Sequence, residues 1–220
     1  GDGTEIYNNT GTQTEDSGLT PGTTYYYQSW GYRNNTYLTT TYHNYSDLYD
    51  TLGPLTPSSV PTVITNTSTE MQETTTILHG YLQNNGSIDT TTYFILDDDP
   101  DLTADTLFNH SMGTTAHQTE FQYNTSTEGA LNPGTMYFYD TKANNNQGWD
   151  TSGGLTTFQT KPNETTSLTG QINSTTMIHL TWTTGIGANR TIIERNTETS
   201  WNRGDGTEIY NNTGTQTEDS

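Results

Sequence analysis

An all-β chain of sandwich modules is what this sequence predicts, and three features carry the prediction. Threonine is the most used residue, with Tyr, Val and Ile beside it, and these side chains suit the pleated, half-buried surface of a strand. Helix-forming Ala, Leu, Lys and Glu are scarce. Short runs of alternating apolar and polar residues, bounded by Gly, Pro and Asn, recur at roughly ten-residue spacing, the pattern of a sandwich.

In chain order, the runs are EIY at 5–7 and TQTEDS at 12–17, then TTYYYQSWGY at 23–32 and YLTTTYH at 37–43. The middle of the chain carries TVITNTSTE at 62–70, TTTILHGYL at 74–82, TTYFILDD at 91–98, TEFQYN at 119–124, TMYFYDTKA at 135–143 and LTTFQT at 155–160. The last part carries MIHLTWT at 177–183, TIIER at 191–195, then EIY at 208–210 and TQTEDS at 215–220. In MIHLTWT the alternation sets Ile178, Leu180 and Trp182 on one face against Met177, His179, Thr181 and Thr183 on the other.

Two stretches are more specific. GLTPGTTYYYQSWGY at 18 and ALNPGTMYFYDTKAN at 130 each read Leu, any residue, Pro-Gly-Thr, any residue, Tyr. Pro-Gly makes a tight turn in which Gly takes positive φ, and the tyrosine hydroxyl bonds back to the turn. In this layout the chain resembles the fibronectin type III family, immunoglobulin-like β-sandwiches used in tandem in secreted and cell-surface proteins, with a composition similar to repetitive archaeal and bacterial surface proteins. The resemblance implies structural tyrosine corners at Tyr25 and Tyr137, at the entry to strand F. It also matches the buried tryptophan of strand B to Trp182. In the middle module HGYL stands where that tryptophan is expected, so Leu78, Tyr81 or Leu82 should pack the core there.

Laid onto that family, the chain divides at 57 and 161. Residues 58–161 hold a complete module of about the expected 100 residues. Residues 1–57 supply C′, E, F and G, and residues 162–220 supply A to E. The stretch GDGTEIYNNTGTQTEDS stands both at 1–17 and at 204–220, letter for letter, 203 residues apart. That period is too long for a solenoid unit and suits a repeat of two domains. Joining 220 to 18 makes one complete module, so the chain reads either as a window on a long tandem array or as a subunit that shares domains with its neighbours. In both cases the expected assembly is linear and open-ended, with copies of the chain head to tail. On strand F, alternation sends Tyr25 and Tyr27 inward and Tyr26, Gln28, Trp30 and Tyr32 outward, an aromatic row suited to stacking on a glycan or a neighbouring module.

The charge excludes some functions. A formal net charge of −19 with six Lys and Arg cannot neutralise a phosphate backbone, which excludes nucleic acid, and it disfavours an anionic membrane surface. No apolar run is long enough for a transmembrane helix, and no signal peptide is evident. With no cysteine, disulfides and thiolate metal sites are excluded. The hydrophobic share of 27% is low and implies a thin core.

Candidate N-glycosylation sites, Asn followed by any residue but Pro and then Ser or Thr, fall at Asn8, Asn34, Asn44, Asn66, Asn85, Asn109, Asn124, Asn163, Asn173, Asn189 and Asn211, most of them expected in turns or at strand ends. Covalent glycans there would solvate a thin-cored fibre and place it outside the cell. The loop LDDDPDLTAD at 96 gathers Asp97, Asp98, Asp99 and Asp101, with Asp105 beyond. These are oxygen donors for a calcium ion, without the spacing or closing Glu of an EF-hand. Catalytic signatures are lacking: His43, His79, His110, His117 and His179 show no metal-ligand spacing, and there is no nucleophile elbow or phosphate loop. The sequence therefore predicts no enzyme. It predicts a structural subunit or repeat window of an extracellular, N-glycosylated filament of tandem fibronectin-III-like modules. The alternative is an adhesin or carbohydrate-binding spacer within a larger secreted protein.

Overall fold

A computed structural model of the chain describes residues 3–102 and 106–220. It is nearly all β, and one 3-10 turn, Thr125–Thr127, is its only helical element among those residues. The strands are β1 (Tyr25–Tyr37), β2 (Thr40–Leu55), β3 (Thr62–Thr69), β4 (Ile77–Asn84), β5 (Thr90–Asp97), β6 (Phe108–Thr115), β7 (Thr119–Asn124), β8 (Met136–Asn145), β9 (Gly148–Thr151) and β10 (Thr156–Gln159). They continue with β11 (Thr166–Ser174), β12 (Met177–Thr183), β13 (Thr191–Arg195), β14 (Thr207–Asn212) and β15 (Gln216–Asp219).

Strands β3 to β10 form a sandwich. One sheet has the order β3-β4-β7 and the other β10-β8-β5-β6, with β9 on the continuation of β8, and every pairing is antiparallel. In the letters of the fibronectin-type sandwich these are A-B-E and G-F-C-C′. Alternation decides what lies between them. Leu78 and Leu82 from β4, Phe94 and Leu96 from β5, Phe121 and Tyr123 from β7, and Tyr137 and Tyr139 from β8 all point inward and are buried. Of the three residues expected to replace the family's tryptophan, Leu78 and Leu82 fill the core, whereas Tyr81, one position out of phase, lies on the outer face and is half-buried. Gly80 sits between the two leucines because a Cβ there would lie 2.5 Å from the Phe121 ring.

The third part of the chain repeats half of this plan. The order β11-β12-β15 is again A-B-E, and β13 pairs with β14 as C with C′. Trp182 is buried on β12 and meets Tyr210 edge to face at 4.7 Å between centroids. Leu180 is half-buried and Ile178 exposed, so burial along this face fades away from the tryptophan.

The N-terminal part departs from expectation in two ways. The C′ and E strands predicted at 5–7 and 12–17 do not form, although the identical residues at 207–212 and 216–219 are β14 and β15. A strand needs a partner for its NH and CO groups, and among the described residues only the later copy has neighbours, β13 and β12, to pair with. The predicted G strand at 37–43 is a longer one: β1 and β2 form a two-stranded ribbon that turns at Leu38 and runs to Leu55. Strand β6 lies outside the predicted runs, although Phe108, His110 and Met112 alternate there with Asn109, Ser111 and Gly113; it pairs with β5.

Candidate functional site

The candidate site lies in how the units join and in what they leave unpaired. The first element is the Pro-Gly turn. At each one a tyrosine five residues ahead closes the loop: Thr20 N–H donates to Tyr25 Oη at 2.9 Å, and Asn132 N–H donates to Tyr137 Oη at 2.8 Å. Gly22 and Gly134 have φ of 76° and 65°, the left-handed region that favours glycine.

The same turn then forms a joint to the following unit, and the joint occurs twice. Gly22 N–H donates to Pro57 O at 2.9 Å, and two residues further along the linker Ser59 N–H donates to Gly86 O at 3.0 Å, in the loop between β4 and β5. At the second junction Gly134 N–H donates to Lys161 O at 3.0 Å, and two residues further Asn163 N–H donates to Ile186 O at 2.9 Å, in the loop between β12 and β13. Each linker is thus pinned between the corner of one unit and the B–C loop of the next. Glycines make the approach possible. A Cβ at Gly86 would lie 1.9 Å from Ser59 O, one at Gly185 1.9 Å from Asn163 O, and one at Gly187 2.1 Å from Pro133 O. Asn145, buried, reinforces the first joint by donating through Nδ2 to Ser59 O and Asn85 O.

The second element is a pair of open surfaces. In the complete sandwich β5 lies between β6 and β8, but β13, its counterpart, pairs with β14 alone among the described strands. Beside it is a cavity of about 240 Å³ whose lining includes Leu168, Trp182, Thr191, Ile193 and Trp201. Trp182 Nε1 and Thr191 Oγ1 are buried there with no hydrogen-bond partner among the described residues.

The ribbon β1–β2 is the converse. It presents Tyr26, Trp30, Tyr32, Tyr42, Tyr45, Tyr49, Leu52 and Leu55 to solvent, and two strands alone are at best marginally stable in water. At its base it pairs as β8 does with β10, Leu55 standing opposite Tyr25 as Phe158 stands opposite Tyr137, before a bulge between Tyr25 and Tyr27 shifts the register. Yet Phe158 is 6% exposed, while Leu55 is 46% and Leu52, opposite Tyr27, is 58%. Tyr25 and Tyr27 point to the core-type face, as alternation predicts, but are only half-buried, whereas Tyr137 and Tyr139 are buried. Burial pushes the Tyr139 hydroxyl up to about 12. The Tyr27 hydroxyl is also raised, first by desolvation and then by its bond to Asp16. Tyr26, Gln28, Trp30 and Tyr32 are exposed on the opposite run, where Trp30 meets Tyr49 and Tyr32 meets Tyr45 across the ribbon.

One carboxylate of the duplicated stretch ties its first copy to this ribbon and its second copy to β13. Tyr27 Oη donates to Asp16 Oδ2 at 3.1 Å, and Arg195 Nη1 donates to Asp219 Oδ1 at 2.7 Å. Asp16 and Asp219 are the same residue of the repeated sequence.

Among the glycosylation candidates, Asn8, Asn85, Asn163 and Asn189 lie in loops, while Asn109, Asn124, Asn173 and Asn211 lie within two residues of a strand end. Asn34, Asn44 and Asn66 sit inside strands instead; Asn34 and Asn44 are exposed, and Asn66 is half-buried. Of the calcium candidates, Asp97 ends β5 buried, with Oδ1 accepting from Asp98 N–H, and Asp99 Oδ1 accepts from Asp101 N–H. Asp105 lies outside the described residues. Among those described, no group of three or more His, Asp or Glu is placed to hold a metal ion, and no helix is long and apolar enough to cross a membrane.

Neither the protein-family models nor the curated protein sequences give a match. Among solved structures, the sensor domain of the anti-sigma factor RsgI4 in Pseudobacteroides cellulosolvens is similar at a TM-score of 0.36 and 15% identity, covering 47% of this chain and 96% of that one. A longer form of the same domain gives 0.37 and 15%, covering 49% and 96%. The chicken CNTN1 FN1-FN3 domains give 0.33 and 11%, covering 80% of this chain and 61% of theirs. At these scores the sandwich assignment stands on the strand order itself.

Proposed function

We propose that this chain is a structural subunit or repeat window of an extracellular, N-glycosylated filament, built from fibronectin-III-like modules set head to tail, with no enzymatic role. The observation that supports it is the joint made twice. A flexible linker would leave successive units free to rotate. Here both linkers are held by the same two backbone hydrogen bonds, at contacts only glycine permits, so successive units repeat one geometry. Repetition of one heterologous contact generates an open filament. With strands of this length each module advances roughly 30 to 40 Å, giving roughly 60 to 80 Å for two modules.

The acidic, hydroxyl-rich surface and the exposed sequons suit a solvated fibre outside the cell, and the glycans would shield its long exposed strands. Other copies of the chain are the expected partners. A calcium ion, where bound, would draw its oxygens from Asp97, Asp98, Asp99 and Asp101. The exposed Trp30–Tyr49 and Tyr32–Tyr45 pairs favour a second reading, an adhesin or carbohydrate-binding spacer, since exposed rings stack on sugar faces.

Electron microscopy of the native assembly tests the first reading, with an axial repeat of roughly 60 to 80 Å for two modules as the expected result. Particles with no linear order would overturn it. Gly187→Ala is the matching perturbation: it should loosen the second joint and broaden the angle between units in small-angle scattering, while the middle sandwich keeps its melting temperature. Unchanged scattering would mean that the joint does not set the geometry. Retention of the chain on insoluble polysaccharide, lost in Trp30→Ala, would favour the carbohydrate-binding reading.

A further inference from the structure

We infer that the open edge of β13 and its cavity are the docking site for the β1–β2 ribbon of a second copy of this chain, locked by Tyr27 of the incoming copy on Asp219. The inference rests on the head-to-tail reading above and assigns its contact. The acceptor is an A-B-E sheet with a C-C′ pair whose C strand has one free edge, next to an open cleft lined by Leu168, Trp182, Ile193 and Trp201 and also by Glu194 and Arg203. In the complete module that edge is taken by β8, through pairs such as Leu96 with Tyr139 and Phe94 with Thr141. The ribbon has the features of β8–β10: the same Pro-Gly corner, the same tyrosine-to-backbone bond, and Leu55 in the register position of Phe158. Its core-type face, Tyr25, Tyr27, Leu52 and Leu55, is what such an edge lacks. A free edge beside a partly apolar cleft takes an added strand by backbone pairing, with alternate side chains entering the cleft.

The duplicated stretch supplies an independent marker of position. It lies against β12 and β13 in one copy, where its Asp219 accepts from Arg195, and it leads into the ribbon in the other, where its Asp16 accepts from Tyr27. Asp16 and Asp219 are the same residue of the repeated sequence, and that carboxylate takes Tyr27 in one copy and Arg195 in the other. Asp219 therefore holds Arg195 within its own unit and accepts Tyr27 Oη from the second copy. The second copy's own residues 4–17, which form no strand, give way to the paired copy at 204–220.

The 220-residue chain itself tests this. Leu52→Asp charges the docking face at a side chain already exposed, so the free chain should fold normally; Leu38→Asp, at the ribbon's turn, is the control. In sedimentation velocity the unaltered chain and Leu38→Asp should associate with rising concentration, and Leu52→Asp should weaken association by about tenfold or more. Because the chain has no cysteine, a Tyr27→Cys chain mixed with an Asp219→Cys chain and a short bis-maleimide should give a two-chain product that neither variant gives alone. Equal association of Leu52→Asp and the unaltered chain, or no product from the mixture, overturns the docking site. If fibres with the 60 to 80 Å order persist in Leu52→Asp, docking fails and the filament reading survives. If the native assembly shows no linear order while the cross-link forms, the filament reading fails and docking survives.

Discussion

Two hydroxyls of the same type do different work at corresponding positions. Tyr137 Oη takes the Asn132 N–H inside a closed sandwich, so Tyr137→Phe leaves that donor without its partner and should destabilise the middle module by about 1–3 kcal/mol, measured by urea denaturation. Tyr25→Phe in the free chain should cost a fraction of that, because water reaches the half-buried corner; equal losses would show the ribbon's corner to be as dry as the core. Glu128 offers a pH test. The Tyr123 hydroxyl, then His110, hydrogen-bond its carboxylate and hold it below the usual carboxylate range. A depressed folded-state value gives stability that is present above the unfolded value near 4.5 and lost as pH falls through the folded one. Glu128→Gln should therefore lower the melting temperature at pH 7, with the gap to the unaltered protein closing as pH drops below about 4.5. A gap that stays constant into acid would mean the carboxylate's charge contributes nothing. The corner tyrosines were legible in the sequence because Pro-Gly and the tyrosine are local. The Glu128–His110–Tyr123 contact was not, because its three residues meet only once β6, β7 and the turn after β7 are in place.

Strands whose partners lie close along the chain, or whose alternation is clean, were also legible: MIHLTWT is β12 residue for residue. The duplicated stretch marks the limit of such reading. Its turn is the same in both copies, with Thr10 N–H bonded to Asn9 Oδ1 at 2.7 Å and Thr213 N–H to Asn212 Oδ1 at 2.8 Å. Only one copy makes strands, so local sequence sets the turn and neighbouring strands set the ladder. Amide hydrogen exchange should show this within one molecule. Protection is expected at 208–211 and 217–218, and near-free exchange at the matching 5–8 and 14–15 of the unassembled chain. Equal protection in the two copies would mean the stretch carries its own strand structure.

At the scale of the whole molecule, apolar docking and charge oppose each other. Each chain carries −19, spread over the surface of a protein with six Lys and Arg, so bringing copies together adds like charge to like. The ribbon's exposed tyrosines and leucines supply the attraction, and screening decides how much of it survives. At 0.01 M salt the Debye length is about 30 Å, nearly a module's length, and repulsion acts across the whole contact; at 0.15 M it shrinks to about 8 Å and leaves only near neighbours. Self-association measured by sedimentation should therefore strengthen as NaCl rises from 0.01 to about 0.3 M, the reverse of a contact held mainly by surface ion pairs. The Arg195–Asp219–Tyr27 site is the exception within that trend. Asp219 is nearly buried beside Arg195, so salt should alter the strength of association without changing which residues meet, and the Tyr27–Asp219 cross-link should form at every salt concentration where copies associate. Association that weakens steadily with salt would place the main contact on a charged surface instead of the apolar face of the ribbon.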